Sequence, residues 1–403
     1  MTRGHGSARR IEVEDKHLKL RIVLMVLAII IAVTAFSYGI HALLRRNSGW
    51  QSVDAYPDGV DCSGDFTLQY YFDAVGASAT VEYKAVSAVY TTALEEAYQL
   101  YYPEGGLAEI NAHPNEDVEV APALYRAIET IQAAGNRSMY LAPVYVEYDR
   151  IFLHQNEDEA ARYDPGQDDE IAAYVAELAS FANDPTQIDL ELLDGNRVRL
   201  NVADDYLAYA KENGITEYLD FGWMKNAFIT DYIADVLIQS GYKTGYIASY
   251  DGFTRNLDES QSYSFNLFDR LDEAVYCPAV MSYKGPMSIV YLRNYPLSNA
   301  DRWHYFSFSN GRIASVYVDP EDGMSKSSTD NLVAYSAGAS CAELLLEIAP
   351  IYLTNVLDEA ALEMLAEQQI YTVWFEGPVL KHTQESLQLT GTEDAKTMGY
   401  QFS

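Results

Sequence analysis

The residues of this chain that could do chemistry fall at three places. Glu343 and Glu347 are four positions apart in the apolar, helix-forming stretch ASCAELLLEIA. That spacing puts both carboxylates on one helix face, one turn apart, where two hard oxygen donors can share a cation. Gly222 lies in LDFGWMKNAFITD, residues 219–231, where an alternating run gives way to a helical period. A helix N-terminus behind a glycine turn can hold an anion through its free N–H groups and dipole. A plain strand-to-helix connection fits the same residues. Gly252 and Arg255 follow a further strand-like run in GYIASYDGFTRNL. His304 and His113 stand alone, and a lone histidine is more often structural than catalytic.

The elements that must position these groups can be read from period and punctuation. Leu219, Phe221 and Trp223 alternate with Asp220 and Gly222, as in a strand running into a turn. Ile229, Ile233, Val236 and Leu237 then form one face of a helix that Gly241 stops. Upstream, 66–71 and 77–83 alternate like two paired strands, and 86–101 reads as a helix with Leu94, Ala97 and Tyr98 inward. Pro122 suits the first turn of a helix ended near Gly135, with Leu124, Ile128 and Ile131 as its apolar face. A helix over 171–181 and a strand over 197–201 follow an acidic loop. Strand-like runs at 262–268, 274–281, 287–293 and 304–308 suggest a mostly antiparallel sheet. Residues 336–340, SAGAS, read as a turn before the last long helix, and 370–375 with 378–382 as a closing hairpin.

The 403-residue chain is long enough for one large or two medium domains. Residues 22–44 are an apolar run long enough to cross a bilayer. Six basic residues precede it; only Arg45 and Arg46 follow before Lys84. The bias predicts a single-pass protein in the cell membrane: a cytoplasmic N-terminus over 1–21, an uncleaved anchor over 22–44, and the rest extracytoplasmic. A linker over 45–65 would lead to the main domain, 66–390, with a polar tail over 391–403. Positions 1–46 hold eight basic and three acidic residues, leaving −37 on the remainder of a chain whose net charge is −32. Such a surface repels nucleic acid and anionic lipid. Cys62, Cys277 and Cys341 allow at most one disulfide and make no zinc pattern. The 33 tyrosines suit half-buried strands, although aromatic surfaces also bind sugars or flavins.

The stretch 219–231 resembles, without a gap, the pattern LDLGGIAKGYAVD of the ApbE-like flavin transferases, the FAD:protein FMN transferases. Leu219, Asp220, Gly222 and Asp231 fit; Trp223, Asn226 and Ala227 replace glycine, lysine and glycine. The resemblance runs in order over about residues 66–390. Gly76 fits the entry hairpin, Asn111 fits SELSxLN, Pro143 fits FDPTVGPL with Ser138 at its aspartate, and Gly252 and Arg255 fit NALVNLGGDIRAL. In NGRIASVYVDPEDG, Asp319, Pro320 and Gly323 fit DGKRYHHIIDPRTG, while Ser315 and Val316 stand at the histidines. Glu343 is placed at the aspartate of the metal-binding helix and Glu347 at its threonine or serine.

The resemblance implies an α+β flavin-transferase fold, with mostly antiparallel sheets and packed helices; the apolar run over 22–44 adds one N-terminal transmembrane helix before it. It implies transfer of FMN from FAD, as substrate, to Thr or Ser of an acceptor protein, with Mg²⁺ and release of AMP. Asn111, Gly222, Asp231, Gly252, Arg255 and Asp319 would bind the flavin nucleotide, and Glu343 and Glu347 the metal. The catalytic residues stay unassigned, because Asn226 cannot supply the lysine's charge and Val316 cannot move a proton. Lys225 is adjacent, but one residue is about 100° around a helix and would point elsewhere. A non-catalytic flavin- or protein-binding relative is therefore the alternative, and a surface adhesion or sugar-binding domain on the same scaffold is a third reading.

Overall fold

A computed structural model describes residues 18–45, 48–60, 63–73, 77–257, 261–271 and 274–402. Two compact units divide the chain: residues 1–49 with Phe72–Glu82, and Trp50–Tyr71 with Tyr83–Ser403. In the first unit, Leu18–Arg45 is a helix of 28 residues. Its described side chains, at 23–35 and 37, are all exposed, the large apolar ones from Val26 at 47% to Ile31 at 60%. Among the described residues no helix is long and apolar enough to cross a membrane.

The second unit is built on a nine-stranded sheet. Its middle strands, Ser288–Arg293 and Asn331–Ser336, read SIVYLR and NLVAYS and are buried at every position. Near-continuous apolar runs are what a strand covered on both faces needs. The pairing is antiparallel from Phe66–Phe72 through Gly245–Ser249, Phe253–Asn256, Ser288–Arg293, Asn331–Ser336 and Tyr371–Glu376 to Val379–His382. Helices Lys225–Gln239 and Cys341–Tyr352 pack on the sheet. A three-stranded sheet of Ser262–Leu271, Ala274–Lys284 and Gln388–Gly391 closes a core in which Leu267 and Met281 meet Ile289, Val333, Val373 and Leu380. A further three-stranded sheet, Asp117–Glu119, Arg197–Val202 and Ile188–Leu193, accompanies helices Pro122–Ala133, Ala142–Leu153 and Asp169–Asn183. The architecture is α+β with antiparallel sheets, as expected.

Four segments differ from the sequence expectation. Residues 77–83 are not a strand paired with 66–71, but the start of a helix, Ala77–Tyr101. Val86, Tyr90, Leu94 and Ala97 repeat at helical spacing, and extending an existing helix costs less than starting a separate strand. Residues 219–221 join no sheet, and Gly222–Met224 is a 3₁₀ turn. A side chain replaces the missing strand neighbour: Asn111 Oδ1 accepts the N–H groups of Tyr218 and Leu219 at 3.0 and 2.9 Å, and its Nδ2 donates to Leu219 O at 2.9 Å.

Within the expected linker, Gly49–Val53 is a strand at the edge of the large sheet. The next turn is tied down, with Ser87 Oγ donating to Asp54 O and the Tyr56 N–H donating to Thr91 Oγ1. Within the expected tail, Glu393–Met398 is a helix and Gln401–Phe402 pairs parallel with Val379–His382. Tyr400 anchors it, buried and donating to Asp269 Oδ2 at 2.8 Å. Cys277 and Cys341 are free thiols; Cys62 and Gly76 lie outside the described residues.

Candidate functional site

A pocket of about 220 Å³ opens at the N-terminal turn of the Lys225–Gln239 helix. Gly222, Lys225 and Asn226 form one wall, Tyr145, Tyr148 and Asp149 of the Ala142–Leu153 helix a second, and Asp251, His304 and Val316 a third. Asp220, Trp223 and Trp303 complete it. Gly222 has φ +52°, and a Cβ there would strike the Tyr145 ring. The Tyr145 hydroxyl donates to Ser138 O at 2.8 Å, which fixes the ring. Only glycine allows the turn and the ring to share this space.

The pocket's polar atoms are only partly satisfied. Asn226 Nδ2 donates to Asp251 Oδ2 at 2.9 Å. Trp223 Nε1, Asn226 Oδ1, Asp251 Oδ1 and His304 Nδ1 are buried without a hydrogen-bond partner. Buried polar atoms are normally paired, so four orphans lining one pocket mark a place built to receive a polar ligand or water. Burial holds His304 below its usual pKa, with Lys225 acting in the same direction and Asp251 opposing, so the imidazole is neutral at pH 7. Desolvation pushes the Asp149 carboxyl up to about 6, against the pull of Lys225, although the side chain still reaches solvent. Desolvation raises Asp220 as well, again against Lys225.

Lys225 is the cation of this pocket. The 3₁₀ turn ends at Met224, so Lys225 is the first residue of the helix, and its Nζ lies 4.7 Å from the Tyr102 ring centroid. The expectation that it points elsewhere is corrected: it lines the same pocket as Asn226. His304 arrives in a comparable way. Its backbone C=O accepts the Val316 N–H at 3.1 Å, which puts the imidazole beside the valine that stands at the expected histidine. Lys225, Asp149, Asp251 and Tyr145 were not read as site residues from the sequence. Lys225 is adjacent to the substituted position 226 and Asp251 stands at a substituted position, whereas Tyr145 and Asp149 gave no local signal.

The remaining predicted residues are distributed over the scaffold. Asn111 is committed to the 218–219 segment, as described. Gly252 has φ +123°, and a Cβ there would strike Tyr291 O, so it serves a close approach between strands. The Asp231 carboxylate accepts the N–H groups of Cys341 and Ala342 at 3.0 and 2.8 Å and pairs with Arg255 Nη1 at 3.0 Å. Arg255 Nη2 lies 2.8 Å from Asp235. Asp319 accepts the Glu321 N–H and pairs with Lys326 Nζ at 2.7 Å, inside its own turn.

Glu343 and Glu347 share an exposed face of the Cys341–Tyr352 helix. Glu343 Oε2 accepts the Ser340 N–H at 2.8 Å while Ser340 Oγ accepts the Glu343 N–H, a reciprocal capping box. One position earlier, Ala342 and Leu346 are buried and carry no ligand atom. Among the described residues no group of three or more His, Cys, Asp or Glu side chains is arranged to hold a metal ion. At this helix Glu343 is taken up by its own cap, and Glu347 is the remaining carboxylate.

No protein-family model matches the chain. No curated protein matches it in sequence. Solved structures do match. The crystal structure of the ApbE protein from Thermotoga maritima superposes with a TM-score of 0.55 at 12% identity, covering 87% of this chain and 100% of that one. The flavin transferase ApbE from Vibrio cholerae gives 0.53 at 12% identity, covering 83% and 95%. Similarity of that extent at so low an identity concerns the scaffold: this chain has the ApbE-like fold.

Proposed function

We propose that this protein is a flavin-nucleotide-binding relative of the flavin transferases that holds FAD without transferring FMN from it. The observation that carries the reading is the pocket at Asn226. A 3₁₀ turn, a helix N-terminus, the Lys225 cation and four orphaned buried polar atoms converge there. A volume of about 220 Å³ falls below the roughly 300–1,000 Å³ of sites that enclose a whole drug-sized ligand. It suits one part of a dinucleotide. Lys225 would face the phosphate charge, since the N–H groups of Gly222, Met224 and Lys225 are taken by Asp220, Phe221 and Gly222. The orphaned acceptors Asn226 Oδ1 and Asp251 Oδ1 would take hydroxyl or N–H donors of the same ligand, and the neutral His304 would accept or donate one hydrogen bond.

The transfer step would need charge neutralisation at the leaving phosphate. Asp231, Arg255 and Glu343 are engaged with one another or with backbone N–H groups, which supports binding without transfer. A working transferase is the second reading, with Mg²⁺ as its metal and a Thr or Ser of an acceptor protein as its target. What favours it is the placement of Lys225 beside Asn226 and His304 beside Val316, which returns a cation and an imidazole to the two substituted positions. In either reading the apolar helix Leu18–Arg45 is taken as a membrane anchor, with a cytoplasmic N-terminus and an extracytoplasmic domain. The boundaries 1–21, 22–44, 45–65, 66–390 and 391–403 belong to that proposal.

Calorimetric titration of the protein with FAD, with and without Mg²⁺, followed by an assay for AMP in the presence of an acceptor peptide, separates the readings. Binding without AMP is the expected result. AMP release would establish the transferase, and absence of FAD binding would remove flavin from both.

A further inference from the structure

A larger cavity, of about 600 Å³, is lined by residues of both the nine-stranded sheet and the small sheet, with Tyr250 and Gly252 on either side of Asp251 of the Asn226 pocket. It lies in the size range of small-molecule sites. We propose that this slot binds a neutral saccharide, with sugar rings stacked on Trp50 and Tyr246. The inference is independent of flavin binding.

The walls are aromatic and fixed. Trp50 is 43% exposed, its ring 5.8 Å from Tyr263 in an edge contact and 6.1 Å from Tyr246. Tyr263 and Tyr283 stack at 5.7 Å. Their hydroxyls donate to Gly245 O and to Asn256 Oδ1, at 3.1 and 3.2 Å. What these rings present to a ligand is therefore carbon surface, already ordered before anything binds.

The polar groups are neutral. Gln69, Ser262, Ser264 and Asn266 line the slot with amides and hydroxyls, and none of its described lining residues is a carboxylate. The single charge is Arg293, 1% exposed, whose Nη2 donates to Asp301 Oδ1 at 3.1 Å and to Tyr250 O at 3.4 Å. Its Nε is buried without a partner. An anionic ligand would meet a chain of net charge −32 and a guanidinium already paired with Asp301. A neutral saccharide has apolar C–H faces for the rings and hydroxyls for the amides, the serines and the Arg293 N–H, with no charge to desolvate.

The test uses the full-length chain in a detergent without a sugar headgroup. Cellotetraose, maltotetraose, chitotetraose and riboflavin are titrated by calorimetry. One of the tetraoses is expected to bind with Kd of about 1 mM or tighter, and Trp50→Ala to weaken it about tenfold or more. Tyr246→Ala should weaken the same ligand, with near-ultraviolet dichroism confirming that each variant is folded. Failure of all three tetraoses overturns the proposal. So does saccharide binding that survives both substitutions, and so does riboflavin binding that Trp50→Ala abolishes while no tetraose competes.

Discussion

The Asp231 carboxylate sits 3.0 Å from Arg255 Nη1 and at the same time takes the first two N–H groups of the Cys341–Tyr352 helix. One side chain thus joins two helices and a strand of the large sheet. Removing it leaves Arg255 with Asp235 alone and the Cys341 and Ala342 N–H groups without their acceptor, while the Ser340–Glu343 capping box stays. Asp231→Ala is expected to cost about 3 kcal/mol, the scale for breaking a buried pair together with a cap. Chemical unfolding measures this, and an unchanged midpoint would mean that the carboxylate is dispensable to the fold.

Glu343 gives the contrasting case. Its engagement in a capping box predicts that Glu343→Ala loses about 1 kcal/mol of stability. The same variant should bind FAD as before, and added Mg²⁺ should affect it as it affects the parent. A Mg²⁺ effect present in the parent and lost in Glu343→Ala would return the residue to metal binding.

Lys225 is the cation that lines the Asn226 pocket, so Lys225→Ala should weaken FAD binding about tenfold, as expected for one charge-assisted contact to phosphate. His304 adds a pH signature. Its pKa lies below the usual 6.5, so it is neutral at pH 7 and gains charge only in more acid solution. Affinity for the anionic ligand should rise as pH falls below 6.5, and His304→Ala should abolish that rise. Titrations at several pH values on the two proteins would show it.

Asp269 controls a separate pH dependence, that of stability. Burial pushes its carboxyl up from 3.8 to about 6, against hydrogen bonds from Tyr400 and Asn331. The folded chain therefore holds this proton more tightly than the unfolded chain does. Its contribution to stability is fully present below 3.8, falls as pH rises toward 6, and is lost above that. Asp269→Asn should flatten the stability profile across this interval; thermal midpoints measured from pH 4 to pH 7 are the check.

The scaffold was largely legible because it rests on signals that act locally. Pro122 does open a helix, and Gly241 does follow one, at φ +90°. The buried runs SIVYLR and NLVAYS are strands, as their composition requires. The site was less legible because it depends on register. A shift of one position on a helix turns a side chain through about 100°, so Glu343 and Glu347 face solvent while Ala342 and Leu346 face in. A 3₁₀ turn changes the count again and brings Lys225 into the pocket. His304 reaches Val316 through a backbone contact that no local pattern announces. Residues 77–83 alternate like a strand but are recruited by the stronger helical period that follows.

Asn111 holds the 218–219 segment with three hydrogen bonds that a neighbouring strand would otherwise supply. In a sheet, a ladder distributes protection over many residues; here it is concentrated in one amide. The backbone N–H groups of Tyr218 and Leu219 are therefore expected to exchange with solvent when that one side chain lets go, and hydrogen exchange would read the approach to the Gly222 turn as an opening unit separate from the nine-stranded sheet.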